Sequence, residues 1–361
     1  MYGLAEYYDI TLLIDNYKLE NKQLANDFPV VIYKHGKSYT GFDAVIYNIG
    51  NNPWYHSYMV DAMEDNPGYI ILHDYVLYYL TVGVHQRRCD LFQTIYTLEG
   101  VQGINTVKDS IKQRHEPDLL LHTSIASELH MNQEVIMMSK GVLVHSSYTK
   151  DLVNRKYPEK PCCKIDLINM SLTEASRDYQ DYKNNCYKIP EDAFVIGSVG
   201  FIAPTKQNEL CCKTVRLYNQ THSAKIYYLM IGEGTYVDRY LDRYIIKTDF
   251  LNTEDYLCAI ERCNLILNLR YPTNGETSAT LIQCMGKGKA CIVTDIGWFK
   301  EIPDDSVVKI PWNITSEGLL EVIDKLKNSD NIQIKRRAKE YVDTVCAVEK
   351  VTRVIKDFMK Y

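Results

Sequence analysis

Residues 268–303 read NLRYPTNGETSATLIQCMGKGKACIVTDIGWFKEIP. The apolar run entering this stretch ends at Leu269 and has the length of a buried strand. A Pro-Thr-Asn-Gly turn, Pro272 to Gly275, leads into Glu276-Thr277-Ser278-Ala279-Thr280, which opens a helix. Thr277 or Ser278 is a natural N-cap, and the backbone N–H groups beyond it can hold a phosphate. Ala279 is small enough to let a ligand approach the backbone. The helix stops at Gly286-Lys287-Gly288, a strand (Ala290–Thr294) follows at once, and Asp295-Ile296-Gly297 makes the next turn. Strand, helix and strand in immediate succession describe a parallel α/β sheet. The spacing admits two readings: a diphosphate on the helix end with Glu276 beside it accepting from sugar hydroxyls, or a capped helix with a solvated Glu.

The same alternation extends in both directions. After this sheet's first strands, Phe194–Val199, Ala224–Ile231 and Tyr244–Lys247, comes Leu265–Leu269. Toward the N-terminus, short apolar runs at Ile10–Ile14, Ala44–Tyr47, Tyr69–Leu72, Gly141–His145 and Lys164–Ile168 each end in turn chemistry. Helix patterns cover Trp54–Asp65 and Tyr148–Lys156, and residues 89–139 are mostly helical. Residues 173–190 (TEASRDYQDYKNNCYKIP) lack apolar periodicity and read as a linker. The expected fold class is therefore α/β, with two Rossmann-like doubly wound domains facing each other across a ligand-binding cleft. Their bounds are 1–172 and 191–335. One long helical pattern covers 336–361.

Composition narrows the class of function. The 361 residues are 46% hydrophobic and 24% charged, which suits a globular chain with room for two domains. With 41 basic against 46 acidic residues the formal charge is −5, so no basic excess marks a nucleic-acid binder. The longest apolar run, 69–80, is too short for a membrane span and contains His73 and Asp74. Basic residues at Arg87-Arg88 and between Lys108 and Arg114 form at most a weak peripheral membrane signal. Eleven cysteines without a C-x-x-C pair read as reduced thiols of a cytoplasmic protein, with no zinc site.

The order of motifs resembles retaining glycosyltransferases of the GT-B fold, family 4. The 268–303 segment looks like that family's donor-binding strand, turn, Glu and helix. GSVGFIAPTKQNELCCKTV (197–215) resembles the first strand and loop of its C-terminal domain, IYYLMIGEG (226–234) the strand ending in Gly-x-Gly, and residues 247–270 the segment before the Glu. VIYNIGNNPWYHSYM, YIILHDYVL and GVLVHSSYTKDLV fall at strand ends of the first half. The resemblance implies a UDP- or GDP-linked sugar as donor substrate, with no separate cofactor and no metal, and a helix at 336–361 that crosses back to the first domain. It puts Gly200, Phe201, Lys206, Gly232, Glu276, Thr277, Ser278, Ala279, Thr280 and Gln283 on the donor. Lys206 would neutralise the diphosphate, Glu276 would touch the sugar, and His73 would lie near the reacting centre. Asn51, Asn52, Trp54 and Asp74 would face the acceptor, although an Asn-Asn-Pro turn with a packed Trp explains the first three equally well. By themselves, Lys206 reads as a solvated lysine and His73 as a strand-end histidine.

Three positions depart from the family pattern. Cys284 stands eight residues after Glu276, where a second Glu is common, and Gln283 precedes it. No Arg precedes Lys206 in its loop. The chain begins close to what looks like the second strand, YYDITLLID, without the usual opening strand. The implied function is sugar transfer to a glycan or glycolipid hydroxyl with retention of configuration, in polysaccharide or glycoconjugate synthesis at the inner face of the membrane. The alternative is a catalytically inactive relative that binds sugar nucleotide or a partner. A dinucleotide oxidoreductase is disfavoured, because Gly197, Gly200, Gly232 and Gly234 never form G-x-G-x-x-G. Donor base, sugar, acceptor and oligomeric state are not encoded in these motifs.

Overall fold

A computed structural model describes residues 1–19, 21–39, 41–169 and 188–359. Most of the anticipated linker, residues 173–187, lies outside the described residues. The chain forms two compact units. Unit 1 comprises Met1–Asp166, Asn274–Thr277 and Val348–Tyr361; unit 2 comprises Leu167–Thr273 and Ser278–Ala347.

Unit 2 is built on a six-stranded sheet, all parallel, formed by β7 (Phe194–Val199), β8 (Ile226–Ile231), β9 (Ile245–Lys247), β10 (Leu265–Asn268), β11 (Ala290–Thr294) and β12 (Val308–Ile310). Their spatial order is β12-β11-β10-β7-β8-β9. Strands buried on both faces must be apolar at successive positions, which is why LILN and ACIVT lack a polar stripe. Alternate residues feed opposite faces. Val195 and Val199 of β7 join one core with Ile260, Leu281, Met285 and Val342, whereas Ile196 joins the other with Cys212, Val215, Tyr228 and Leu319. Helices thus cover both faces.

Unit 1 holds a four-stranded parallel sheet of β3 (Ile46–Ile49), β4 (Tyr69–Leu72), β5 (Gly141–Val144) and β6 (Cys162–Lys164), in that order. Leu12–Ile14 (β1) pairs in parallel with Val30–Ile32 (β2) in a separate two-stranded sheet. Helices α1 (Pro53–Asp65), α2 (Tyr78–Arg88), α3 (Leu91–Arg114) and α4 (Ser147–Lys156) belong to this unit. Those of unit 2 are α5 (Asn208–Thr221), α6 (Thr253–Arg262), α7 (Ala279–Gly286), α8 (Ser316–Lys327) and α9 (Ile332–Val345).

The structure corrects several expectations. The single C-terminal helix is two: α9 ends at Val345, and α10 (Val348–Phe358) begins after a break at Cys346. Helical periodicity runs through the break, but α9 buries Ala338 and Val342 in unit 2 while α10 buries Val351 and Ile355 in unit 1. The last strand of unit 1 lies at 162–164 rather than 164–168, its pairing ending where Ile165 N donates to Val144 O at 2.8 Å. Strands β2 and β12 carry only three residues each, too short for a periodic signal. The ten described cysteines are all free thiols, and no described helix is long and apolar enough to cross a membrane.

Candidate active site

In unit 2 the sheet grows outward from β7 and β10, so the loops leaving these neighbours run to opposite sides. Ligands of open α/β sheets bind at such a switch point, beyond the carboxyl ends of the strands. The loop after β7 carries Gly200, Phe201 and Lys206. Gly200 has φ +91°, and a Cβ placed there would lie 2.7 Å from Lys206 Nζ and 3.8 Å from Thr280 Cγ2. A glycine at 200 therefore makes room for the ammonium, which donates to Val199 O at 3.1 Å. The switch point thus gathers a cation and the first turn of α7.

That turn is capped as its sequence requires. Of the two candidate caps, Ser278 takes the role: its Oγ accepts from Leu281 N at 3.2 Å and sits 3.1 Å from Thr280 Oγ1. Ala279 and Thr280 occupy the first turn, where α-helical geometry provides no intrahelical acceptor for their amides. Beneath them Asn268, 2% exposed at the end of β10, donates from Nδ2 to Thr280 Oγ1 at 3.4 Å, and its Oδ1 meets no hydrogen-bond partner. Gln283, farther along α7, accepts from Tyr256 OH at 2.7 Å, and Cys284 is fully buried in the core.

Gly232 has a structural task. At φ +146°, a Cβ on it would come within 2.5 Å of Gly200 O, and one on Gly234 would collide with Ile202 O. Backbone from β8 thus runs flush against the loop after β7, tied by Gly200 N to Ile231 O at 2.8 Å and Ile202 N to Glu233 O at 2.6 Å. Beside this seam opens a cavity of about 550 Å³, lined among others by Phe201, Glu233, Thr235, Lys247 and Asp249. Phe201 is exposed. Sequence reasoning named only Phe201 among these residues, since lining by three separated loops leaves no linear spacing.

Glu276 falls in unit 1, because residues 274–277 pack there. Tyr75 N and Val76 N donate to Asn274 O at 2.9 and 3.0 Å, and Thr149 Oγ1 donates to Gly275 O at 2.8 Å. Glu276 Oε2 accepts from Asn274 N at 2.6 Å, closing the turn on itself. Thr277 follows, half-buried.

His73 and Asp74 follow β4 directly. Asp74 Oδ2 accepts from Asn51 N at 3.0 Å. The expected acceptor contacts of Asn51 and Asn52 meet competition, since both side-chain oxygens start helices. Asn51 Oδ1 accepts from Tyr79 N and Leu80 N of α2 at 2.8 and 3.2 Å, and Asn52 Oδ1 from Trp54 N of α1 at 2.9 Å. Trp54 is not packed: it is 83% exposed. His73 stacks on His145, centroids 5.1 Å apart at 20°, with Nε2 of His145 3.1 Å from Nδ1 of His73. Burial, then the neighbouring His56, pushes the His73 pKa down to about 4. His145 was not among the sequence candidates.

No protein-family model matches the chain, and no curated protein matches it by sequence. Solved structures do. Sucrose-phosphate synthase from Thermosynechococcus elongatus superposes with a TM-score of 0.59 at 12% identity, over 97% of this chain and 98% of that one. Anabaena HepE in complex with UDP gives 0.62 at 12% identity, over 99% and 94%. A glycosyltransferase from Rickettsia africae gives 0.59 at 15% identity, over 99% and 93%. The fold is GT-B. At these identities the likeness is one of architecture, and the roles of GT-B residues in this chain rest on its own geometry.

Proposed function

We propose that this protein is a glycosyltransferase that takes a sugar from a UDP- or GDP-linked donor and passes it to a hydroxyl of a glycan or glycolipid, with retention of configuration. The observation that carries the reading is the switch point of unit 2, where Lys206 and the Ser278-capped start of α7 share one strand-end edge of a GT-B sheet. The Anabaena structures of the same fold hold UDP, UDP with glucose, and UDP-glucose. As the glycosidic bond breaks, charge builds on the departing diphosphate; the Lys206 ammonium and the amides of Ala279 and Thr280 would stabilise it. The acceptor oxygen bonds the anomeric carbon from the same face, and its proton goes to the leaving diphosphate. Gly200 supports this by leaving space for Lys206, Phe201 by edging the cavity of about 550 Å³ that would take the nucleoside, and Gly232 by holding that loop. The family resemblance gives Glu276 and His73 the sugar, and Trp54 and Asp74 the acceptor, with Gln283 toward the ribose and no metal in the reaction. It also favours family 4, and action in the cytoplasm at the inner membrane face.

A second reading has its own support. Cys284, at the position of the family's second Glu, is fully buried, and Gln283 Oε1 already accepts from Tyr256. Both fit a chain that binds a sugar nucleotide without turning it over. The two readings separate when the protein is incubated with UDP- and GDP-sugars and a panel of glycan and glycolipid acceptors. Release of free nucleoside diphosphate, with a product of the donor's anomeric configuration by NMR, is expected. Binding without release would transfer support to the inactive relative.

A further inference from the structure

We propose that His145 is a positioning residue for His73, fixing the rotation and tautomer of its imidazole. This inference rests on the transfer reading for its catalytic consequence, but its structural part stands alone. His73 follows β4 and His145 follows β5, adjacent strands in register through Leu72 and Val144, so the fold itself sets the rings side by side. The rings stack at 20°, and one proton lies between His145 Nε2 and His73 Nδ1, 3.1 Å apart. With one proton shared, the tautomer of either ring dictates that of the other, and hence whether His73 Nε2 offers a hydrogen or a lone pair. His145 is suited to this task and to little else. It is 7% exposed, its Nε2 faces Nδ1 of His73 at 3.1 Å, and the other polar group acting on the ring is the backbone of Ile165. A core position filled only for packing would take a phenyl ring without burying two ring nitrogens. Burial also holds both rings neutral, as a tautomer-defined imidazole requires.

The test uses the full chain labelled with ¹⁵N at histidine. Long-range ¹H–¹⁵N spectra should show His73 of the wild type in one neutral tautomer, and His145→Phe should show it averaged between two. H145F should lower kcat on the order of tenfold to a hundredfold with the donor KM little changed, and H145Q, which restores a polar atom near the lost Nε2, should recover part of that loss. An unaltered His73 signal in H145F, or equal kcat for H145F and H145Q beside an unaltered signal, overturns the proposal. If H145F does not fold, the wild-type tautomer and H145Q decide. If the wild type transfers no sugar, the spectra still decide on His145, and only the transferase reading falls.

Discussion

At the scale of single residues, the site depends on what is absent at position 200 as much as on what is present at 206. Gly200→Ala introduces a Cβ at φ +91° and 2.7 Å from Lys206 Nζ. The backbone strain is expected to cost about 1 kcal/mol or more, and displacement of the ammonium should weaken UDP or GDP binding alongside. Urea unfolding and calorimetry on the same variant check both, and unchanged affinity would separate Gly200 from the site. Ser278→Ala removes the cap of α7, with an expected loss of about 0.5–2 kcal/mol in the same unfolding experiment. Ser278 was legible as one of two candidate caps because cap chemistry is local, whereas Lys206 was singled out only by the family resemblance. Asn51 and Asn52 were legible as turn residues, but their oxygens turned out to start helices. Nothing local signals that His145 would stack on a residue 72 positions earlier.

At the scale of elements, close backbone approach and buried charge join pieces that are distant in sequence. The β8 end can lie on the loop after β7 only because Gly232 lacks a Cβ; Gly232→Ala would press on Gly200 O, a backbone atom that has little freedom to yield. A drop in Tm is expected, with a loss of about 2 kcal/mol or more. In unit 1, His85 at the last turn of α2 is bridged by Asp90, ahead of α3, and Glu134, both at 2.8 Å. Burial alone would lower its pKa, but the hydrogen bonds to Glu134 and Asp90 outweigh it and raise the value. A folded-state pKa above the unfolded one means that this stabilisation is complete below about pH 6.5 and is lost as pH rises through the folded value. Urea midpoints from pH 6 to 9 should therefore fall more steeply for the wild type than for His85→Gln; parallel curves would remove the bridge from the account. Continuous apolar runs closed by turn residues made the long strands readable, and a helical pattern made α1 readable, whereas three-residue β2 and β12 left too little sequence to detect.

For the whole molecule, the α/β alternation announced two doubly wound units but not which distant segments complete them; the return of the last helix was an expectation of the family resemblance alone. Residues 274–277 and 348–361 join unit 1 through contacts that no local pattern encodes, and the break at Cys346 follows from that division of labour. The stacked pair His73–His145 shapes the acid limit of the fold. Burial lowers their pKa values to about 4 and about 3, each next to the other or to His56. Folded values below the unfolded one make stability fall as pH drops from about 6.5 toward those values. H145F should flatten that acid limb in a pH series of unfolding midpoints, and an unchanged limb would assign it to other groups. The transfer reading puts a nucleoside diphosphate at the β7–β10 switch point of unit 2, held by Lys206 and the start of α7. Calorimetric titration of UDP and GDP into the wild type and Lys206→Ala tests it most directly. Saturable binding of at least one nucleotide is expected, weakened about tenfold or more by K206A. Equal affinity for the two proteins, or no binding of either nucleotide to the wild type, would contradict it.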